Sequence, residues 1–253
     1  MQKYVNINAP GHSIHCKLYY NQPGSIKKAI VYCTGFAGHK DNNAAMKFSE
    51  KLLSKHKDVM VFVFNWPAHG DDVKKKLVLD DCGSYLDLVI NEIKTKYGIK
   101  DLYCYATSFG AYLVLKYISE HESPFLKAAL RCPAVEMYNV LTRTIMKNDE
   151  YDRIIKGKDV LVGFDRKIIV TRELLEALKA NDLRERDYLD YADSLLILHG
   201  TADEVIPFED SRAFAENNLI DFIPVEGADH RFSNPVHMSL ANKYVMQFFD
   251  LQA

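Results

Sequence analysis

Leu102-Tyr-Cys-Tyr-Ala-Thr-Ser-Phe-Gly-Ala-Tyr112 carries an apolar strand directly into a helix through the corner Ala106-Thr107-Ser108-Phe109-Gly110. A chain that turns from strand to helix within so few residues needs a strained corner. Small residues two before and two after that corner keep neighbouring backbones from clashing. Ala106 and Gly110 occupy those places. A hydroxyl held there projects beyond the end of the sheet, beside the N-terminus of the next helix, where developing negative charge is favoured. Ser108 is therefore the candidate nucleophile.

A serine hydroxyl is a weak nucleophile at neutral pH, so the reading requires a histidine base and a carboxylate to orient it. Ser194-Leu-Leu-Ile-Leu-His-Gly200 reads as a buried strand opening into Thr201-Ala-Asp-Glu-Val-Ile-Pro207, and Asp203 lies just beyond the strand end. Glu204 and Asp229 flank the pair as alternative acids, but the strand-to-loop offset favours Asp203. Ile220-Asp-Phe-Ile-Pro-Val-Glu226 reads as the following strand. It leads through Gly227-Ala-Asp-His-Arg-Phe232 to Asn234-Pro235, a helix start with proline at the first helical position. His230 thus falls on a loop at the same sheet edge, while His199 reads as a residue packed at a strand end.

Upstream, Tyr4 to Asn8 and Ile14 to Tyr20, joined around Ala9-Pro10-Gly11, read as an antiparallel hairpin. Ala29 to Cys33 and Val59 to Phe64 read as strands. Ala45, Phe48 and Leu52, then Leu86, Val89, Ile90, Ile93 and Tyr97, recur at helical spacing. Short apolar strands alternating with amphipathic helices predict a mostly parallel sheet covered on both faces, with reactive residues at the carboxyl ends of its strands. Between Arg131 and Ser194 lie about sixty residues, far more than a simple crossover uses. Residues 135–190 are therefore expected to form an insertion within one domain spanning 1–253.

A 253-residue chain with 48% hydrophobic residues can bury a large core. Its net charge of −2 gives no broad field for nucleic acid or an anionic membrane. Neither a leader-like apolar stretch nor a span of about 18 apolar residues is present in the sequence, and the expectation is a soluble, cytoplasmic chain. Five cysteines without metal or redox spacing read as reduced core thiols. His12 and His15 have a spacing seen in metal sites but no carboxylate cluster beside them, so no metal is expected, and no phosphate loop supports nucleotide chemistry. No cofactor is expected, and self-association is left open.

Thr34-Gly-Phe-Ala-Gly38, Asn65-Trp-Pro-Ala-His-Gly70, the corner at Ser108, Gly200-Thr-Ala-Asp203 and Glu226-Gly-Ala-Asp-His230 together resemble the α/β-hydrolase family, in its small-esterase and serine-aminopeptidase-like branch. The chain is similar to bacterial cinnamoyl (feruloyl) esterases. The order serine, aspartate, histidine is the one that family uses. The resemblance implies an α/β-hydrolase fold and places oxyanion-binding amides at Phe36 and Phe109. It also implies a helical lid from the 135–190 insertion, with Met137, Tyr138 and Phe164 as substrate-lining candidates. Two positions depart from the family pattern: Ala106 stands where most members have glycine, and Thr34 where they have histidine. The expected function is a serine carboxylic-ester hydrolase acting on small, medium or aromatic acyl esters through an acyl-enzyme. The same residues would serve an acyl-carrier or acyl-CoA thioesterase or acyltransferase, and a non-catalytic binding protein on this fold is the third reading.

Overall fold

The sheet is built around Val59–Phe64 (β4), whose six side chains are all buried, as a strand covered on both faces requires. In the computed structural model, which describes residues 1–72 and 74–251, eight strands form one sheet. They are Gln2–Ala9 (β1), His12–Tyr19 (β2), Lys28–Cys33 (β3), β4, Asp101–Thr107 (β5), Lys127–Arg131 (β6), Leu195–Gly200 (β9) and Asp221–Val225 (β10). Their spatial order is β1-β2-β4-β3-β5-β6-β9-β10. The hairpin β1–β2 is antiparallel and β2 joins β4 antiparallel; every other pair in this sheet is parallel. This is the α/β-hydrolase fold expected from the sequence.

Helices Asn43–Lys55 (α1), Leu79–Lys96 (α2), Phe109–Glu120 (α3), Phe208–Asn217 (α7) and Pro235–Phe248 (α8) surround the sheet. Two of these starts are capped by a side chain. Asn42 caps α1 by accepting from the Ala45 amide, and Asn234 caps α8 by accepting from Val236, with Pro235 in the first turn. The chain passes from β3 outward to β4 and then back across β3 to β5. That reversal opens a crevice at the carboxyl ends of β3 and β5, the place where ligands bind in open α/β sheets.

Residues 135–190 are not wholly helical as expected. The short turn Met137–Asn139 (α4) runs into a π-helical stretch Val140–Ile145, followed by Asn148–Ile155 (α5). Then Val160–Val162 (β7) and Ile168–Val170 (β8) pair antiparallel as a separate two-stranded sheet, and Arg172–Lys179 (α6) follows, capped by Thr171. Strands of three residues leave too little alternation to register in a sequence reading. All five cysteines are buried and unbridged. Among the described residues no helix is long and apolar enough to cross a membrane.

One close backbone contact at the sheet's reactive end is at Gly110, in the first turn of α3. A Cβ there would lie 2.5 Å from the Thr34 carbonyl oxygen and 2.6 Å from that of Cys33. Because both neighbours are backbone, they cannot swing away. Gly110→Ala is expected to destabilise the fold by about 2 kcal/mol or more. Gly83→Ala, within α2 and facing open space, is expected to stabilise it by about 0.5–1 kcal/mol. Urea unfolding of both variants checks this, and equal effects would overturn the packing argument.

Candidate active site

Ser108 sits between β5 and α3 with φ 54° and ψ −121°. A non-glycine residue in such a conformation costs about 1–3 kcal/mol and persists only where its surroundings over-determine it. Here the Ser108 amide donates to the Arg131 carbonyl of β6 at 2.9 Å, and its carbonyl accepts from Tyr112 at 3.1 Å. A Cβ on Gly35 would come within 3.1 Å of Ser108 Cβ, so the loop after β3 lies directly against the corner.

The loops after β9 and β10 bring Asp203 and His230 to the same place. His230 Nε2 is 3.1 Å from Ser108 Oγ, and its Nδ1 is 2.8 Å from Asp203 Oδ2. Glu204 instead accepts from the main-chain amide of His230 at 3.3 Å, and Asp229 accepts from the Ser233 amide at 2.7 Å. Of the three carboxylates, only Asp203 reaches the imidazole. Its other oxygen, Oδ1, accepts from the Val205 and Ile206 amides at 2.8 Å each. Burial alone would push this carboxyl up. Hydrogen bonds from His199 and His230, the charge of His230 and the Ile206 amide outweigh that effect and hold it well below the usual carboxylate range.

Phe36 and Phe109 flank the serine from the ends of β3 and β5. Among the described residues neither amide has an acceptor, so both are available to a group at Ser108. Their rings meet edge to face at 5.8 Å. His69, fully buried, stacks on Phe109 at 6.1 Å and meets Phe36 edge-on at 6.1 Å, so one imidazole braces both residues. Thr34 is held through its carbonyl, which accepts from Trp66 Nε1 at 2.9 Å. Behind this loop the Lys40 amide donates to Asn65 Oδ1 at 2.7 Å, and its ammonium bridges Asp71 at 2.9 Å and Asp41 at 3.3 Å.

A cavity of about 520 Å³ opens over Ser108 and His230. Phe36, Ile145 and Phe164 supply apolar wall; Asn42, Arg166 and Arg231 supply polar wall. Of the three candidates from the insertion, Phe164 lines this cavity. Met137 and Tyr138 do not line this cavity: Met137 is buried in the core, and Tyr138 Oη lies 3.3 Å from Tyr151 Oη. Helical spacing near an insertion cannot say which face turns to the cavity. Ile145 and Arg166 were not anticipated, because only the folding of the insertion over the sheet edge brings them there. Cys132, Asp203 and His230 place one potential ligand atom each within 4.8 Å of one another, the sole such group among the described residues.

The arrangement can abstract a proton from a hydroxyl, stabilise the resulting imidazolium through a carboxylate, and donate two amides to an oxyanion. Residues 28–155, half of the chain, match the sequence model of the alpha/beta hydrolase fold family. No curated protein matches by sequence. Among solved structures, Est1E from Butyrivibrio proteoclasticus with ferulic acid bound superposes with a TM-score of 0.80 at 18% identity, covering 98% of both chains. A putative hydrolase from Agrobacterium vitis S4 gives 0.76 at 17% identity over 98% of both. The Pyrococcus furiosus esterase Pf2001 gives 0.70 at 16%, covering 99% of this chain and 92% of its own.

Burial pushes His69 down to about 4, against a partial pull upward from its Nδ1 bond to the Pro67 carbonyl. Unfolding restores the ordinary value of 6.5, so between pH 4 and 6.5 the unfolded chain binds more protons and stability rises with pH. The contribution is fully present above pH 6.5 and is lost as pH falls toward 4, on the order of 3 kcal/mol. His69→Gln is expected to flatten this part of the native stability profile, measured by denaturant unfolding at a series of pH values. An identical slope in the variant would refute the assignment.

Proposed function

We propose that this chain, which belongs to the alpha/beta hydrolase fold family, is a serine carboxylic-ester hydrolase working through an acyl-enzyme. The observation that carries the proposal is the unbroken chain of contacts from Asp203 Oδ2 through His230 to Ser108 Oγ, at 2.8 and 3.1 Å. In this reading Ser108 adds to the ester carbonyl while His230 takes its proton and returns it to the leaving alcohol. Asp203 keeps the Nδ1–H tautomer in place and offsets the imidazolium charge. The amides of Phe36 and Phe109 receive the oxyanion, each typically worth about 10²- to 10³-fold in rate. Water activated by His230 then releases the acid.

The volume of the cavity suits a small, medium or aromatic acyl group, and Phe36, Ile145 and Phe164 offer apolar faces to it. Residues 135–190, which contribute Ile145 and Phe164, act in this proposal as a cap over the nucleophile. Esterases among the structural neighbours, including Est1E with its bound ferulic acid, support ester hydrolysis in general; the substrate itself is for the assay to identify.

Treatment with a fluorophosphonate is expected to add one mass adduct to the native chain and none to Ser108→Ala. Turnover of a short aryl ester should vanish in Ser108→Ala and His230→Ala with the fold intact, and should fall about 10³- to 10⁴-fold in Asp203→Asn. Comparing esters with matching thioesters over a range of acyl lengths separates the esterase from a thioesterase using the same residues. Unchanged ester cleavage in Ser108→Ala, or no adduct on the native chain, would remove the proposal.

A further inference from the structure

His199, read from the sequence as a packed strand-end residue, stands behind the carboxylate of the site. It is fully buried at the end of β9, and its Nε2 lies 3.1 Å from Asp203 Oδ2, the same oxygen that His230 Nδ1 contacts from the other side. That Nε2 also lies 3.3 Å from the Ile206 carbonyl oxygen. Two acceptors facing one ring nitrogen fix its state: Nε2 carries the proton and donates. Nδ1 is buried with no partner among the described residues, a cost of about 1–3 kcal/mol that packing alone would avoid with an apolar side chain. The ring is set edge-on against Phe208 at 5.7 Å.

We propose that His199 is a positioning residue for the reaction, holding Asp203 Oδ2 in line with His230 and weakening its basicity by donating to it. This rests on the roles proposed above for Ser108, Asp203 and His230. A carboxylate that already accepts from His199, Val205 and Ile206 draws the His230 proton less strongly. Removing the His199 donor is expected to let that carboxylate draw the His230 proton more strongly.

The titratable groups around this pair are few. Facing His199 are Asp203 from its own loop and Asp210 from α7. Facing His230 are Ser108, Asp203 and Cys132, with Glu204 at its main-chain amide. Among these Asp203 alone is within hydrogen-bond distance of both imidazoles.

NMR of the ¹⁵N-histidine-labelled chain tests this without relying on turnover. In the native protein the His199 signals should report the Nε2–H tautomer, and the His230 signals, identified by their loss in His230→Gln, should give a titration midpoint. In His199→Phe, which keeps the ring and removes the donor, that midpoint should rise by about one pH unit. The acidic limb of kcat/KM should move with it, about a tenfold loss at a fixed pH below the midpoint, with KM for a short ester little changed. His199→Gln, which restores an N–H near the Nε2 position, should return both toward native values. An unchanged His230 midpoint in folded His199→Phe overturns the proposal. An Nδ1–H tautomer for His199 in the native chain does so too, and that measurement decides the matter even where the variant fails to fold. Failure of the esterase reading shows differently, as a native chain that neither turns over esters nor takes the fluorophosphonate, with the titrations still measurable.

Discussion

The approach of α3's first turn to the carbonyls of Cys33 and Thr34 is the constraint on which the rest of the site depends. With only a hydrogen at Gly110, the helix can start immediately against the end of β3. The corner at Ser108 must then take a positive φ, and its amide must find the Arg131 carbonyl across the sheet. Once α3 is seated there, Phe109 at its first position and Phe36 on the neighbouring loop face one another across the crevice, with His69 beneath both. The strain at one residue is thus balanced by ordinary packing and hydrogen bonding on three strands, which is how an unfavourable dihedral pair can be kept in a single state.

The second requirement is a stable anion away from water. Asp203 is almost wholly enclosed, and an isolated buried carboxylate would take up a proton. Two main-chain amides and two imidazoles surround it instead, so its charge is met on both oxygens. That solvation is supplied by the turn after β9, and it exists only when β9 and β10 are paired in register and the His230 loop closes over the turn. The acid is therefore a product of tertiary structure although its position in the sequence is local.

This distinction explains what could be read from the sequence. The elbow, the strand ends carrying Asp203 and His230, and the helix start at Asn234 are local patterns in which residue type and backbone geometry are tied together within a few positions. The antiparallel hairpin and the helix-strand alternation are periodic over longer stretches, and the expectation of a mostly parallel sheet followed from them. Residues 135–190 have neither property. Their strands span three residues each, and Val140–Ile145 winds as a π-helix that shifts the faces predicted by ordinary helical spacing. Met137 consequently turns into the core, whereas Ile145 reaches the cavity. His199 was legible as buried but not as a donor, because its partner oxygen belongs to a turn whose conformation no pattern in the strand specifies.

The two halves of the cavity differ in what holds them. The side bearing Ser108, Asp203 and His230 is anchored to β5, β9 and β10 of the main sheet, so small displacements there are opposed by many backbone hydrogen bonds. The facing side is formed by the start of α1 and by the tip between β7 and β8, where Phe164, Asp165 and Arg166 are exposed and where Arg231 reaches Asp165 at 3.1 Å. An exposed ion pair of that kind contributes little to stability, about 0–1 kcal/mol. Substitutions at this tip can therefore alter what the cavity admits at small cost to the fold, whereas substitutions at Gly110 or around Asp203 act on the framework itself. In the proposed reaction the chemistry is tied to the sheet, and selectivity falls to a segment that the sheet does not constrain.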